Sequence, residues 1–310
     1  MVANPCTVVT LNWNGGEVLP GMIRSLVPFL EASGSSLIVF DNGSEDGSDR
    51  EALREFGGFR WFRLVRSDSN LGFAAGANRA LSGAEGGIAV LANNDTVFPP
   101  GSIEALLEGL GRHPSAGIAG PRLLWPDGRL QRSMRDFPFA SRLAIEHLPL
   151  FRRLSARWAD HSRERRADWL VGAVLAIRMQ AFREIGGFDE EYFFYHEETD
   201  LQYRMAEAGW ETWFVPASEV MHLEGFSATR KYGRDTTLRY IPAKLRFLRK
   251  HGGPGSVTGF RLLMTVLALG RYLAGVLVPG LRSRDTRCSA PYFAKAMSAL
   301  WRGQEAAPAD

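Results

Sequence analysis

Short apolar runs alternate with segments of helical spacing along residues 6–95. Four of these runs end in polar residues and predict β-strands: CTVVTLNWNG, SSLIVFDNGSEDGS, FRWFRLVRS and GGIAVLANND. The segments between them predict helices: EVLPGMIRSLVPFLEAS, ALREFG and SNLGFAAGANRALSGA. Because strands that alternate with helices form a mainly parallel sheet covered on both faces, the pattern predicts the α/β class.

The pattern changes in the middle of the chain. Residues 132–169 are polar, basic and aromatic without a clear period. Such a segment is typical either of an acceptor-binding loop or lid, or of a surface insertion. After it, WLVGAVLAIR predicts a buried strand and MQAFREIGGF predicts a short helix closed by glycine. A further helix is expected to start at Glu197 and run to Gly209, and another strand to precede His222.

Residues 257–282 are long and apolar enough to raise the question of a membrane span. Arg261 and Arg271 interrupt the apolar run, and a span needs ~20 largely uncharged residues, so a simple span is disfavoured. Basic residues on both sides favour an interfacial helix that lies on anionic lipid. Packing on the catalytic domain or on a second subunit is the alternative.

Composition limits the class of protein. The 310 residues are 45% apolar and 23% charged, which is typical of a globular chain with a sizeable core. Cys6 and Cys288 are distant in sequence and predict no disulfide scaffold, and the N-terminus lacks a signal-peptide plan, so we expect a cytoplasmic protein. Residues 226–310 hold 15 Lys and Arg against four Asp and Glu. This basic tail indicates an anionic partner: nucleic acid, a membrane surface or a phosphorylated substrate.

Polar side chains follow the predicted strands where each strand ends. Asn12, Asp41, Asn70 and the Asn93–Asp95 group all occupy such positions. In open α/β sheets, ligands bind at the carboxyl ends of the strands. Asn and Asp also form ordinary turns, but four polar strand ends at one edge favour a binding site.

Carboxylates crowd the start of the helix predicted at Glu197. Glu197, Glu198 and Asp200 are favoured there by the helix dipole. Asp200 and Arg204 have i,i+4 spacing and can form an ion pair. Glu198 has no evident partner in the sequence, and like-charged neighbours raise the pKa of a carboxyl group, which suits proton transfer.

Seven motifs stand in the order found in one enzyme family: VVTLNWNG, VFDNGSEDGS, NLGFAAGANRA, LANNDT, WLVGAVLAIR, GGFDEEYFFYHEETDLQYRMAEAGW and VMHLEGFS. Over roughly residues 6–250 the chain resembles the family 2 glycosyltransferases, which are inverting enzymes, and within them the bacterial rhamnosyltransferase-like branch. The resemblance implies a GT-A fold, with a mainly parallel Rossmann-like sheet and a helical C-terminal extension.

The resemblance also implies the roles of the strand-end residues. Asp41 would accept a hydrogen bond from the ring N–H of uracil or thymine. Asn93-Asn94-Asp95 stands at the family's DXD motif, with amides where many members carry carboxylates. Asp95 and His222 would bind Mg²⁺ or Mn²⁺. The residues implied in nucleotide-sugar binding are Thr10, Asn12, Asp41, Asn70, Asn78 and Asn94.

The implied reaction is a single displacement that inverts the anomeric carbon. Glu198 matches the general base, although a longer Glu stands where Asp is usual, and Asp200 is the second catalytic candidate. The donor expected is dTDP-L-rhamnose, with a UDP-hexose as the alternative, and the acceptor is a glycan or lipid-linked glycan. A non-catalytic sugar-nucleotide module is a further alternative. The first turn, LNWNGGEVLP, lacks the G-x-G-x-x-G of dinucleotide oxidoreductases.

The motifs also suggest a division of the chain. Residues 1–228 are expected to form the catalytic domain, in which 1–115 bind the donor and 116–228 serve the acceptor and the chemistry. Residues 229–310 are expected to be a basic, helical region that contacts the inner face of the cytoplasmic membrane or another subunit. No nucleic-acid-binding motif is present. The histidines expected only at the surface or in packing are His113, His147, His161, His196 and His251.

Overall fold

A computed structural model describes residues 5–139, 160–223, 237–278 and 289–301. The chain divides into two compact units. The first unit consists of Met1–Phe137, Arg157–Phe193 and Glu197–Lys231, and the second of Pro138–Ala156, Phe194–His196 and Tyr232–Asp310. Much of the basic, aromatic segment 132–169 and the end of the motif after His222 lie outside the described residues.

A central sheet organises the first unit. Its strands are β1 (Thr7–Asn12), β2 (Ser36–Asp41), β3 (Phe62–Arg66), β4 (Ile88–Asn93), β5 (Thr96–Val97), β6 (Ala116–Leu124), β7 (Leu130–Gln131), β9 (Arg165–Ala167), β11 (Val174–Arg178) and β12 (Glu211–His222). The main order is β3-β2-β1-β4-β11-β6-β12-β5. The first four strands are parallel, as the alternation predicts, whereas β11 runs antiparallel between β4 and β6.

Within the described residues of the first unit, six helices cover the sheet. They are α1 (Val18–Ser33), α2 (Ser48–Phe56), α3 (Phe73–Ser82), α4 (Ser102–Arg112), α5 (Met179–Glu184) and α6 (Glu197–Glu207). Successive side chains of a strand point to opposite faces, so Val8 joins the core beneath α1 and α4 while Val9 joins the core beneath α3 and α6. The two cores confirm the predicted covering of both faces.

One predicted strand is wrong in its extent. WLVGAVLAIR forms two strands, β10 (Trp169–Leu170) and β11, with a break at residues 171–173. β10 pairs with β8 (Met134–Arg135) in a separate two-stranded sheet. Within the break, the Val171 N–H donates to Ser133 O and Ala173 O accepts from the Asn93 N–H. An unbroken strand could not serve both sheets, and the break forms part of the site.

The second unit is mainly helical in its described parts. It contains α7 (Thr237–Phe247), a π-helical turn (Leu248–Gly252), α8 (Gly253–Leu277) and α9 (Ala290–Trp301). α9 packs antiparallel along α8, with the Tyr272 and Phe293 rings 5.5 Å apart and Trp301 Nε1 donating to Thr265 Oγ1 at 3.1 Å. Within the described residues, Gly255–Leu277 is long and apolar enough to cross a membrane by length and composition. Residues 279–282 of the expected apolar segment lie outside the described residues.

Candidate active site

Asn12 links the ends of three neighbouring parallel strands. Its Nδ2 donates to Asp41 Oδ1 at 2.8 Å, and its Oδ1 accepts from Asn94 Nδ2 at 3.0 Å. β1 lies between β2 and β4 in the sheet, so one amide can reach both neighbours. All three side chains are buried. The structure therefore brings together three of the residues predicted to bind the nucleotide-sugar.

The carboxylate of Asp41 is held by protein donors but retains acceptor capacity. Oδ1 accepts from Asn12, and Oδ2 accepts from the Ser44 N–H at 3.0 Å. Each carboxylate oxygen carries two lone pairs, so both can accept again. Thr10 lies two residues before Asn12 and hence on the same strand face. Its Oγ1 is buried and has no hydrogen-bond partner in the part of the chain that the structure describes.

Gly15 makes the Asn12–Asn94 hydrogen bond possible. A Cβ atom at this position would lie 2.3 Å from Asn12 Oδ1 and 2.6 Å from Asn94 Nδ2. Both distances are far inside van der Waals contact, so any side chain would displace the amides. The sequence pattern did not single out Gly15, because its close contact with Asn94 joins residues that are distant in sequence.

A second amide network fixes the segment after β3. Asn42 Nδ2 donates to Asn70 Oδ1 at 3.2 Å and to Gly72 O at 3.0 Å, while Asn42 Oδ1 accepts from the Leu71 N–H at 3.0 Å. Asn70 Oδ1 also accepts from the Gly72 N–H. The predicted Asn70 thus lies beside the end of β2, and Asn42, which the sequence analysis did not single out, holds it there.

Asn78 is engaged elsewhere. From the middle of α3, its Nδ2 donates to Phe188 O and Glu190 Oε1, both at 2.9 Å, and its Oδ1 accepts from the Phe188 N–H at 2.9 Å. The structure therefore uses this amide to hold the segment that precedes α6, rather than joining it to the hydrogen bonds of Asn12 and Asp41.

Strand pairing brings the two predicted metal ligands together. β12 pairs with β5 so that His222 lies opposite Thr96, next to Asp95. His222 Nε2 is 3.4 Å from Asp95 Oδ1, and both side chains are buried. His222 Nδ1 lies 2.8 Å from Gln131 Oε1, and this amide oxygen accepts a hydrogen bond from the Nδ1–H group. The lone pair of the ring is then on Nε2, the nitrogen that faces Asp95.

This pair fits a divalent cation. When the ring is neutral with its proton on Nδ1, Nε2 has no proton to donate to Asp95, and Nε2 has no hydrogen-bond partner among the residues described. A carboxylate oxygen and an imidazole nitrogen are both ligands that Mn²⁺ accepts, so Asp95 Oδ1 and His222 Nε2 could both serve as ligands of one cation. The described ranges contain no group of three His, Cys, Asp or Glu side chains that could hold a metal.

Glu198 stands at the break between β10 and β11. Its Cβ and Cγ would each lie 3.2 Å from a Cβ atom on Gly172, so a larger residue there would crowd the carboxylate stem. Burial raises the pKa of Glu198 above its usual range, and hydrogen bonds from the backbone N–H groups of Glu198, Thr199 and Gly172 oppose the rise. Oε2 has no hydrogen-bond partner within the described segments. Glu198 is thus a carboxylate with a raised pKa and an uncommitted oxygen.

Gln202 fixes the first turn of α6 beside this break. Its Oε1 accepts from the Leu170 N–H at 2.8 Å, and its Nε2 donates to Leu170 O at 2.8 Å and to Glu198 O at 2.9 Å. The side chain is fully buried. Since Leu170 ends β10, Gln202 positions the backbone of Glu198 against that strand.

Of the other two carboxylates in the cluster, Asp200 differs from Glu198, whereas Glu197 also has an oxygen, Oε2, without a hydrogen-bond partner among the described residues. Asp200 is fully buried and pairs with Arg204, Nε to Oδ2 at 2.7 Å, while the same guanidinium donates to Ile185 O and Gly187 O. This is the i,i+4 ion pair that the spacing predicts. Glu197 is buried, and burial followed by the charge of Glu198 raises its pKa well above the usual range.

The sequence of the chain also matches a known protein family. Residues 3–237 match the family described as "Glycosyltransferase like family 2". The chain belongs to glycosyltransferase family 2. The transferase is 34% identical over 266 residues to the N-acetylglucosaminyl-diphospho-decaprenol L-rhamnosyltransferase of Mycobacterium tuberculosis, a match that covers 79% of this chain and 85% of the relative.

Solved structures support the fold of the transferase. GalNAc-T7, solved with UDP, GalNAc and Mn²⁺, has a TM-score of 0.60 and 16% identity. The match covers 80% of this chain but 48% of that one, so the transferase spans about half the length of GalNAc-T7. The mannosyltransferase PcManGT of Pyrobaculum calidifontis, in complex with GDP-Man and Mn²⁺, has a TM-score of 0.55 and 17% identity, covering 97% and 88%. These similarities confirm the predicted GT-A fold.

Proposed function

We propose that the transferase moves L-rhamnose from dTDP-L-rhamnose to a hydroxyl group of a lipid-linked glycan, with inversion at the anomeric carbon. The uncommitted carboxylate of Glu198, on α6, is the observation that carries the chemistry. The hydrogen-bonded Asp41, Asn12 and Asn94 at neighbouring strand ends support the binding of the donor. The 34% identity to an L-rhamnosyltransferase over most of both chains supports the sugar.

Residues 1–115 bind the nucleotide in this proposal. The free lone pairs of Asp41 accept the ring N–H of thymine, and the buried Thr10 hydroxyl lies on the strand face that leads to Asn12. Asn94 and Asn70 flank the ribose and the diphosphate. Asn12 supports nucleotide binding indirectly, because its amide fixes the orientation of both Asp41 and Asn94. Asn78 acts at a distance by holding the segment before α6.

Residues 116–228 supply the general base and one of the two metal ligands, and Asp95 supplies the other from residues 1–115. Asp95 Oδ1 and His222 Nε2 would hold Mg²⁺ or Mn²⁺, which would supply positive charge to neutralise the diphosphate leaving group. Gln131 keeps the Nε2 lone pair of His222 available.

Glu198 acts as the general base. Its carboxylate takes the proton of the acceptor hydroxyl as that oxygen attacks the anomeric carbon, and the nucleoside diphosphate leaves from the opposite face. A raised pKa brings the basicity of Glu198 closer to neutral pH, which favours proton acceptance. Asp200 is less suited to this role, because Arg204 holds its carboxylate in an ion pair.

The acceptor in this proposal is a glycan on a polyprenyl diphosphate. The Mycobacterium tuberculosis relative carries such a lipid in its name. A lipid-linked acceptor places the reaction at the inner face of the cytoplasmic membrane. Residues 229–310 then form a basic helical region that serves this location.

A donor panel tests the proposal. The full chain is incubated with dTDP-L-rhamnose, UDP-glucose or UDP-N-acetylglucosamine, a polyprenyl-diphosphate-linked N-acetylglucosamine acceptor and Mn²⁺, and the product is analysed by NMR. We expect transfer from dTDP-L-rhamnose alone, with the anomeric configuration inverted. Transfer from a UDP-sugar in preference to dTDP-L-rhamnose would overturn the donor, and retention of configuration would overturn the mechanism.

A further inference from the structure

One face of α8 is apolar and exposed. Its large aliphatic side chains are between 43% and 67% exposed and recur at spacings of four, three, four and three residues: Leu262, Val266, Leu269, Leu273 and Val276. Residues at this spacing line up along one side of a helix. They form a continuous strip, here called the α8 strip, and Leu277, which is 77% exposed, lies at its end. Monomeric soluble proteins rarely leave such a continuous apolar surface in water.

The described helices do not cover the α8 strip. α9 lies along a different side of α8, where Trp301 contacts Thr265 and the guanidinium of Arg261, and Phe293 stacks on Tyr272. The buried residues of α8 (Val257, Phe260, Ala268 and Gly275) also lie away from the strip. The exposed strip is therefore not the helix face that holds the described part of the second unit together.

Charge decides which kind of partner fits. In the second unit, the described residues include eight Lys and Arg and no Asp or Glu. Arg249 and Lys250 are exposed in the π-helical turn directly before α8. A second copy of this surface would bring the basic residues of two chains together, with no acidic residue in the described part of either second unit. Paired helices, in contrast, usually place opposite charges beside their apolar seam. An anionic surface is complementary to both the strip and its charge.

The arginines argue against a helix that crosses the bilayer. A spanning α8 would carry both Arg261 and Arg271 through the hydrocarbon, where a charged side chain is costly. Arg271 lies on the opposite side of the helix from the α8 strip, nine residues after Leu262, so a helix lying in the surface keeps this charge out of the hydrocarbon. The apolar strip then enters the acyl boundary while the basic residues remain among the head groups.

We propose that the α8 strip is a docking face for an anionic lipid surface. This inference deepens the proposed function and rests on the membrane location given there to residues 229–310, but its test requires neither donor nor acceptor. The strip supplies apolar insertion, and the basic residues of the second unit supply attraction to anionic head groups.

Vesicle sedimentation tests the docking face. The full-length chain is mixed with vesicles of phosphatidylcholine alone or of phosphatidylcholine with phosphatidylglycerol, without any nucleotide. We expect partitioning onto the anionic vesicles that weakens at high salt. The double variant Val266→Glu/Leu273→Glu should bind them about tenfold less tightly, because charged residues must enter the acyl boundary.

Two controls make the result decisive. Leu53→Glu, on α2 of the first unit, makes the same kind of change at a residue 47% exposed and should leave vesicle binding unchanged. Light scattering reports the oligomeric state of every variant. The proposal is overturned if the double variant binds anionic vesicles as tightly as the parent, or if it changes the oligomeric state while vesicle binding is unaffected, which would assign the α8 strip to a subunit interface. Because the experiment measures vesicle binding without turnover, its result does not depend on whether the proposed donor is correct.

Discussion

At the scale of single residues, the site depends on side chains that hold other side chains. Gln131 accepts from His222, Asn42 binds Asn70, and Gln202 fixes the backbone of Glu198. None of these three was recognisable from the sequence. Gln131 stands 91 positions from His222, and Asn42 stands 28 from Asn70. An amide in a sequence carries no sign of which distant group it will meet.

Gln131→Leu tests the role assigned to the His222 contact. Loss of the Oε1 acceptor frees the imidazole to place its proton on Nε2, so we expect Mn²⁺ to bind about tenfold more weakly. Manganese binding followed by electron paramagnetic resonance, in the presence of dTDP, measures this without turnover. Gln131→Glu retains an acceptor and should bind Mn²⁺ nearly as the parent does. Equal Mn²⁺ affinity in Gln131→Leu would contradict the role.

At the scale of elements, the pattern of apolar residues predicted the four parallel strands and the helix at Glu197. It did not predict the break in WLVGAVLAIR, because an apolar run looks the same whether it continues in one sheet or passes to another. The pairing of β12 with β5, which places His222 beside Asp95, was also not visible. Sheet neighbours that are far apart in sequence are set by packing of the whole sheet, and no local pattern contains them.

The ion pair within α6 has a structural role that can be measured. Asp200→Asn removes the buried carboxylate and leaves the Arg204 guanidinium without its charged partner. We expect the free energy of unfolding to fall by about 3 kcal/mol, the usual cost of breaking a buried pair. Urea denaturation measures the change.

An exposed pair provides the control for Asp200→Asn. Glu51 and Arg54 form a surface contact on α2 at 3.5 Å. Glu51→Gln should change the free energy of unfolding by no more than about 0.5 kcal/mol. Similar losses in the two variants would show that the Asp200 pair contributes no more than a solvent-exposed one.

At the scale of the whole molecule, the catalytic cluster lowers stability at neutral pH. The folded protein raises the pKa of Glu197 well above its ordinary value of 4.5, chiefly through burial. Below pH 4.5 this carboxyl group is protonated in both the folded and the unfolded chain. As the pH rises towards the folded-state pKa, the unfolded chain ionises first and is favoured.

Glu197→Gln should therefore stabilise the protein, and increasingly so as the pH rises above 4.5. The free energy of unfolding from urea titrations between pH 4 and pH 8 measures the difference between variant and parent. Glu31→Gln, at an exposed position on α1, serves as the control and should show little dependence on pH. If the difference in the free energy of unfolding between variant and parent stays constant or shrinks with rising pH, the raised pKa of buried Glu197 is contradicted.

The proposed mechanism depends above all on Glu198 as the general base. The decisive measurement compares turnover and donor affinity for Glu198→Gln and Asp200→Asn. For Glu198→Gln we predict a loss of turnover of about 100-fold or more, with dTDP-L-rhamnose affinity nearly unchanged, because proton transfer alone is removed. The parent should lose turnover as the pH falls through the raised pKa of Glu198. Asp200→Asn, corrected for its folded fraction, and the exposed Glu207→Gln on the same helix should keep most of their turnover. Near-normal turnover in Glu198→Gln, together with an inactive but folded Asp200→Asn, would contradict the assignment.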